Sequence, residues 1–347
     1  MKKIIIIILT LLSILACKKD EPKNEELPKD KTVYYISNEG AYGYANASLS
    51  LYYPDDNKLV NKAFRNTNNR GIGDVLQSTY SYDGKLFMMV NASSKIEVAK
   101  TENIEEIGVI NNISLPRYMV AKNNKGYISS WGNGGQIKII DTQNLTIIDS
   151  VETGTGPEKL LISNDKLIVC NGGGFTEDSS ISIIDINTNQ LIKNEVIGDI
   201  PMDIIEVDNK VWILCKGKII YDASWNIVGH SDSKLVLLNS DFEKEQEYIL
   251  FNEQHPSHFA LSKDKETIFI GGGYGFDGIY GFNLVSKTLN TNPISNKSFY
   301  GLNTADGLIY GFSSPDFSSS GKMIIMDESG NIKNEIVVGI GPNGMGK

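Results

Sequence analysis

A segment of about 41 to 44 residues repeats along most of this chain, and this repeat limits what the chain can fold into. A turn that contains Pro or Gly closes each copy, and it recurs at Gly73, Pro116, Pro157, Pro201, Pro256 and Pro342. The first three spacings are 43, 41 and 44 residues, the next is 55, and the last is 86, or twice 43. The doubled spacing predicts a degenerate junction near Phe299 and Tyr300.

The clearest copy, residues 159–201, indicates what each repeat forms. Its short runs rich in Ile and Val alternate with Gly, Asn and Asp, which is the pattern of strands joined by turns. Four such runs predict a four-stranded meander, which cannot bury both of its faces without packing against further copies. A second marker, a strand that ends in Asp or Asn, gives seven copies, at 48–53, 95–100, 136–141, 180–185, 234–239, 278–283 and 322–327. Seven repeats of this length predict an all-β fold, a seven-bladed β-propeller of four-stranded antiparallel blades. A β-solenoid is the alternative, although its repeats are shorter.

The blades are predicted at 32–73, 74–116, 117–157, 158–201, 202–256, 257–299 and 300–342, within a propeller domain of residues 32–347. The first blade starts at Val33, which aligns with the second strand of the other copies. We expect residues 341–347 to supply its missing first strand, which would close the ring and remove an exposed edge. The alternative is an incomplete blade of three strands.

The N-terminus has the pattern of a lipoprotein signal. Lys2 and Lys3 precede an apolar run, residues 4–12, that is too short to span a bilayer. Residues 1–16 are therefore predicted as a signal peptide. Residues 14–17 (ILAC) resemble the lipobox of bacterial lipoproteins, which implies that Cys17 carries the lipid anchor. An ordinary signal peptide is the alternative. Residues 17–31 are charged, contain proline and are predicted to form a flexible tether.

Charge and cysteine content narrow the function. The net charge of −9 argues against nucleic acid as a partner, because such binding depends on Lys and Arg neutralising phosphates. Cys170 and Cys215 lie on the second strands of neighbouring repeats, but their registers differ by one residue and so point to opposite faces. We therefore expect two buried free thiols and no disulfide.

The loops indicate which face of the propeller carries function. The turns between first and second strands, and between third and fourth strands, are short. The loops between second and third strands are long, rich in Gly and aromatic, at 40–47, 132–135, 172–179, 216–233, 272–278 and 313–321. Binding residues concentrate on such loops. The ligand-binding candidates are Tyr42, Tyr44, Trp131, Phe175, Trp225, Tyr274, Phe276 and Phe317 on these loops, with Arg70, Arg117, Tyr118, His255 and His258 expected near the mouth of the central channel. The alternative for about half of the aromatic rings is that they only pack the loops onto the blades.

No motif of catalysis, cofactor binding or metal binding stands out. His255 and His258 form a close pair, but no Cys or carboxylate cluster accompanies them at ligand spacing. The Gly-rich stretches are not followed by helices, as phosphate-binding loops are. We therefore predict no catalytic residue, no metal site and no cofactor, and we expect the protein not to be an enzyme.

Several stretches resemble a known group, the YncE-like propeller lipoproteins of Bacteroidota. They are residues 38–53, 70–78, 91–98 and 115–118, together with the repeating pattern IID-x-x-T/N-x-x-L. The charged cluster after Cys17 also resembles the surface-export signal of lipoproteins in that phylum. The resemblance implies an outer-membrane lipoprotein exposed at the cell surface, with a plain periplasmic lipoprotein as the alternative. Some members capture cobalamin and pass it to a TonB-dependent transporter, while others have no assigned ligand.

Three hypotheses follow for the function. The leading one is a surface-anchored, non-enzymatic protein that binds a small nutrient, cobalamin first among candidates, for a TonB-dependent outer-membrane transporter. The second is a scaffold that binds a protein or a glycan with the same face. The third, a propeller enzyme such as a lyase or lactonase, would require acidic or His residues clustered around an axial metal. A concave funnel would favour the first hypothesis, and a flat aromatic face would favour the second.

Overall fold

A computed structural model of the chain describes residue 27 and residues 31–347. The predicted signal peptide, Cys17 with its lipid anchor, and nearly all of the predicted tether lie outside the described residues. Within the described part, no helix has the length and apolar character needed to cross a membrane.

The first four blades occupy the first half of the chain. Blade 1 begins with β1 (Tyr34–Asn38), β2 (Ser48–Tyr53), a 3₁₀ turn (Pro54–Asp56) and β3 (Lys58–Val60), and the helix α1 (Ala63–Asn68) follows it. Blade 2 contains β4 (Leu76–Tyr82), β5 (Lys85–Val90), β6 (Lys95–Lys100) and β7 (Glu106–Asn111). Blade 3 contains β8 (Pro116–Lys122), β9 (Lys125–Ser130), a 3₁₀ turn (Gly132–Gly134), β10 (Gln136–Asp141) and β11 (Thr146–Glu152). Blade 4 contains β12 (Pro157–Ser163), β13 (Lys166–Asn171), β14 (Ser180–Asp185) and β15 (Gln190–Val196).

The remaining blades are less regular. Blade 5 contains β16 (Pro201–Val207), β17 (Lys210–Cys215), an inserted hairpin of β18 (Ile219–Tyr221) and β19 (Ile227–His230), then β20 (Ser233–Leu238) and β21 (Lys244–Phe251). Blade 6 contains β22 (His258–Leu261), β23 (Thr267–Gly271), β24 (Asp277–Asn283) and a split outer strand, β25 (Thr288–Leu289) and β26 (Ser295–Ser298). Blade 7 contains β27 (Gly301–Ala305), β28 (Leu308–Ser313), β29 (Ser320–Asp327) and β30 (Ile332–Ile340), and the last strand is β31 (Pro342–Gly346).

These strands form a seven-bladed β-propeller, which confirms the predicted fold class. Each blade is an antiparallel meander that runs from an innermost to an outermost strand. Blade 1 is ordered β3-β2-β1-β31, so the C-terminal strand supplies its missing innermost strand and closes the ring. The predicted closure is confirmed, and the three-stranded alternative is wrong. Blade 7 begins at Gly301, at the junction predicted near Phe299.

Local sequence explains why the inner hairpins turn where they do. Several turns between the first and second strands place Asn, Asp or Gly at two successive residues with positive φ, as at Asn123 and Asn124 (φ 53° and 61°). These residue types tolerate the left-handed region, and such turns match the twist of paired strands.

The Asp or Asn that marks the end of the third strand has a structural role. The Asp141 carboxylate accepts hydrogen bonds from the backbone N–H of Gln143 and of Asn144, at 2.8 and 3.0 Å. Asp185 does the same for the backbone of the equivalent turn in blade 4. The repeated acidic or amide residue therefore fixes the turn to the outer strand and is not a site residue.

The hydrophobic core lies between neighbouring blades. Ile168 and Cys170 of blade 4 pack in one cluster with Val211, Ile213 and Cys215 of blade 5. Both cysteines are buried and free, as predicted. The one-residue offset does place them on opposite faces of their blades, but opposite faces of adjacent blades meet, so both thiols lie in the same cluster.

Candidate functional site

The loops between second and third strands all emerge on one face of the propeller, which we call the loop face. The loops follow from the strand order and span residues 39–47, 91–94, 131–135, 172–179, 216–232, 272–276 and 314–319. The connections from one blade to the next emerge on the same face, because each meander has four strands. The prediction that the long insertions share a face is confirmed.

Every exposed aromatic side chain in the described part of the chain belongs to the loop face. Its most exposed rings are 77–90 % accessible and come from four blades: Tyr42, Tyr44, Phe175, Trp225 and Tyr274. Tyr221, on the hairpin of blade 5, is the sixth exposed ring. Clustered exposed aromatic rings often mark interaction sites, so their restriction to one face makes the loop face the candidate site.

The hairpin of blade 5 holds one of these rings at its tip. Trp225 has φ of 63°, a conformation that non-glycine residues adopt rarely. The Asp222 carboxylate holds the tip by accepting hydrogen bonds from the backbone N–H of Ser224 and of Asn226, at 2.8 and 2.9 Å. The Tyr221 ring lies 5.9 Å from the Trp225 ring. The Asp222 contacts therefore present Trp225 to solvent in a fixed position.

A groove of about 310 Å³ lies between the loops of blades 6 and 7. Tyr274 and Phe317 line it, and the Phe317 ring packs edge-on to Tyr300 at 4.9 Å. The prediction that Phe276 presents its ring to a ligand is wrong. Its side chain is only 1 % exposed and packs against Phe251 and Tyr280. It supports the loop from below and presents no ring to a ligand.

Charged side chains converge on the propeller axis in a set that we call the axial cluster: Arg117, Glu158, Lys159, Asp203 and His258. The Arg117 guanidinium and the Glu158 carboxylate form an ion pair with Nη2–Oε2 of 3.0 Å. The Lys159 ammonium donates to Asp203 Oδ2 at 2.5 Å, and His258 Nδ1 lies 3.7 Å from the same oxygen. Both carboxylates are almost fully buried, at 3 % and 2 % exposed. Ion pairs therefore compensate each buried negative charge.

Burial and ion pairing act in opposite directions on these groups. Burial lowers the pKa of the Arg117 guanidinium, but the Glu158 carboxylate outweighs burial and keeps that pKa above its usual range. Burial raises the pKa of Asp203, but Lys159 and His258 outweigh it, so the Asp203 pKa lies below its ordinary value. At Glu158 itself burial outweighs Arg117 and raises the pKa of the carboxyl. The raised Lys159 pKa and the lowered Asp203 pKa both favour the charged form of the Lys159–Asp203 pair at neutral pH.

The axial cluster supports the loop face through Trp131. The Arg117 guanidinium lies over the Trp131 ring at 4.2 Å, and Phe175 packs edge-on against the same ring at 5.2 Å. Three predicted residues from two blades are thus in one stack, with Arg117 at its base and Phe175 at the exposed end. The stack connects the charged axis to the loop face.

Glu39 joins blade 1 to the same region. Its carboxylate accepts hydrogen bonds from Asn343 Nδ2 at 2.8 Å and from the Tyr300 hydroxyl at 3.1 Å. Burial raises the pKa of Glu39, against the effect of these two donors and of Arg117. Asn343 lies on the closing strand, so ring closure also completes the polar axis.

Two other predicted residues have structural partners. His255 stacks on His230, with Nε2 of His255 3.0 Å from Nδ1 of His230, and its own Nδ1 lies 2.9 Å from the Lys216 carbonyl. The prediction that Arg70 lies near the mouth of the central channel is wrong. Arg70 binds Glu97 and Glu106 on the third and fourth strands of blade 2, and therefore lies over the outer part of that blade and not at the channel mouth.

Five residues of this region were not predicted from the sequence: Glu39, Glu158, Lys159, Asp203 and Asn343. The innermost strands begin with Pro in several blades, and the register shifts just after it, so that two consecutive residues occupy a β-bulge. The pairs in this position are Arg117–Tyr118, Glu158–Lys159, Met202–Asp203 and Asn343–Gly344. Alignment of the two residues after each repeat Pro would have brought all of these side chains together except Glu39, which follows β1.

The Asp203 site gives a pH-dependent prediction. Because the pKa of Asp203 is depressed in the folded state, its ion pairs contribute stability above the unfolded pKa of about 3.9, and this contribution is lost as the pH falls through the folded pKa. We expect Asp203→Asn to reduce the free energy of unfolding at pH 7, with a difference from the original protein that shrinks towards pH 3. Urea denaturation at both pH values measures this, and a difference independent of pH would contradict the assignment.

Among the described residues, no group of three or more His, Cys, Asp or Glu side chains is placed to hold a metal ion.

Comparison with known proteins places the chain in a family. The model of a domain of unknown function, DUF5074, matches residues 32–220, more than half of the chain. The chain belongs to the DUF5074 family. That match begins at the predicted start of the propeller and extends into blade 5. No curated protein matches the chain. The narrower resemblance to YncE-like lipoproteins stays a prediction.

Solved structures share the fold across most of the chain. A putative 6-phosphogluconolactonase from Bacteroides uniformis has a TM-score of 0.66 at 9 % identity, over 91 % of this chain and 99 % of that one. A quinonprotein alcohol dehydrogenase-like protein from Bacteroides thetaiotaomicron has a TM-score of 0.61 at 15 % identity, over 91 % and 77 %. Apo AztD from Citrobacter koseri has a TM-score of 0.56 at 9 % identity, over 90 % and 96 %. At these identities the likeness shows the propeller fold alone.

Proposed function

We propose that this protein is a lipid-anchored, non-enzymatic binding protein that captures a nutrient on its loop face, with cobalamin as the leading candidate. The observation that carries the proposal is the concentration of exposed aromatic rings on one face. Capture for a TonB-dependent transporter at the outer membrane is part of the proposal, and it rests on the Cys17 lipobox pattern and the family resemblance.

The positions of the rings indicate a large ligand. Phe175, Trp225 and Tyr274 belong to three successive blades, so a ligand that touches more than one must extend across the face. The cavity on the propeller axis has about 120 Å³, room for about four water molecules, and cannot enclose such a ligand. The ligand would therefore lie on the loop face, among the rings.

Cobalamin matches this surface in chemistry. A corrinoid is large, partly flat and rich in amide groups, and small-molecule sites usually combine aromatic rings with a few placed polar groups. Rings held by fixed loops, as Asp222 holds the tip at Trp225, lose little conformational freedom on binding.

A second candidate is supported by the same exposure values. The most exposed rings project into solvent and do not line a closed pocket, which suits a macromolecular partner such as a protein or a glycan. In that case the loop face would be an adhesion or scaffold surface.

Calorimetric titration of the protein without residues 1–26 with cyanocobalamin tests the proposal. We expect saturable binding with one ligand per protein. Absence of heat at about 100 μM protein, where a micromolar dissociation constant would be evident, would reject cobalamin as the ligand and favour the macromolecular partner.

A further inference from the structure

The cavity on the propeller axis has a chemistry of its own, separate from the loop face. It has a volume of about 120 Å³ and is lined mainly by residues of the innermost strands, including Tyr118, Lys159, His258 and Asn303. No Asp or Glu is among its lining residues, although two buried carboxylates lie nearby in the axial cluster. Its polar lining therefore carries cationic and neutral groups, beside the apolar side chains of Leu302 and Met345.

Several hydrogen-bond donors in the lining have no protein acceptor within residues 31–347. Asn303 Oδ1 accepts from the Met345 backbone N–H at 3.0 Å, which leaves the Asn303 Nδ2 donor without a partner. The Tyr118 hydroxyl accepts from Gln77 at 3.4 Å, and its own proton has no acceptor. The Lys159 ammonium has three protons and one acceptor, Asp203. The Asn303 Nδ2 donor and the Lys159 ammonium are within reach of solvent, so an acceptor that enters the cavity can bind them.

We propose that this cavity binds a small oxyanion, a carboxylate or phosphate group, through Lys159, Tyr118 and Asn303. An oxyanion offers several acceptor atoms and a negative charge, and hydrogen bonds to a charged group are the stronger ones. The volume holds about four water molecules, which fits inorganic phosphate or a short carboxylate. Lys159 and His258 keep 25 % and 16 % of their side chains exposed, so ions from solvent reach the site.

The substitution Asn303→Asp tests the proposal with little structural change. Aspartate has the shape of asparagine and keeps the oxygen that accepts from Met345, but it replaces the free donor with a negatively charged acceptor. The matched control is Asn239→Asp, in the turn after the third strand of blade 5, where Asn239 accepts backbone hydrogen bonds from Asp241 and Glu243. The control adds the same charge far from the axis. The equivalent positions in blades 3 and 4 are Asp141 and Asp185, so the turn accommodates Asp.

Calorimetric titrations with inorganic phosphate and, separately, with acetate give the readout. We expect saturable binding with one site for at least one of the two anions. Asn239→Asp should bind it with unchanged affinity. Asn303→Asp and Lys159→Gln should each bind it about tenfold or more weakly, since each loses a charged hydrogen bond to the anion. If Lys159→Gln does not fold, the affinity of Asn303→Asp for the anion is by itself the test of the proposal.

Two results would overturn the proposal. One is the absence of saturable heat with either anion up to about 20 mM, where a millimolar dissociation constant would still be measurable. The other is binding of equal strength in Asn303→Asp and Asn239→Asp. Neither result bears on the loop face, whose ligand is tested with cyanocobalamin.

Discussion

Removal of residues 341–347 is expected to cost the protein about 5 kcal/mol or more of its free energy of unfolding, since the backbone pairing of β31, the Met345 contacts and the Asn343 hydrogen bonds are lost together. The segment contains β31, which pairs with β1 from Tyr35 to Asn38. Without it, Glu39 loses the Asn343 donor, and the edge of β1 is left unpaired. Thermal unfolding followed by circular dichroism measures the effect.

The control for this truncation is removal of Lys347 alone. Its ammonium lies 3.7 Å from an exposed Asp306 carboxylate, a surface contact worth about 0–1 kcal/mol. A truncation at residue 340 that unfolds at the same temperature as the protein without Lys347 would show that the ring does not depend on its closing strand.

Replacement of Arg117 by Ala has the second-largest expected effect. The change leaves the Glu158 carboxylate buried without its ion-pair partner, and removes the cation that lies over Trp131. Loss of one partner from a buried ion pair costs about 3–5 kcal/mol. We expect a decrease of that size in the free energy of unfolding, measured by urea denaturation.

Two further variants show whether the buried charge is the cause. Arg117→Met combined with Glu158→Met removes both charges, and we expect it to recover most of the loss. Lys122→Ala breaks a surface ion pair with Asp165 of 2.5 Å and should cost about 0–1 kcal/mol. A loss in Arg117→Ala no larger than in Lys122→Ala would mean that solvent compensates Glu158.

The repeat spacing predicted the blades because every copy is fixed by the same local chemistry. Three features of each copy have local causes, which a sequence displays directly. They are Pro at the start of the innermost strand, Asn or Asp in the turn between the first and second strands, and an acidic or amide residue in the turn between the third and fourth strands. The closing strand was predictable for a related reason, since blade 1 began at its second strand.

The site was less predictable because its members come from different blades. Lys159, Asp203 and His258 are separated by more than 40 residues each, and only the shared register after the repeat Pro brings them together. Tyr274 and Phe276 show a second limit. They are two residues apart on one loop, yet one is 90 % exposed and the other is buried, and packing against Phe251 and Tyr280 decides which.

The most direct test of the loop face compares two variants in the cyanocobalamin titration. The first variant combines three substitutions: Phe175→Ala, Trp225→Ala and Tyr274→Ala. The control is Val285→Ala, because Val285 is an exposed apolar residue in a turn on the opposite face. Because truncation of a central aromatic in an interface costs about 2 kcal/mol or more, we expect the triple variant to bind about a hundredfold more weakly or worse. Its thermal unfolding should stay unchanged, since the three rings are exposed. Equal affinity in the triple variant and in Val285→Ala would contradict the central claim that the aromatic loop face captures the ligand.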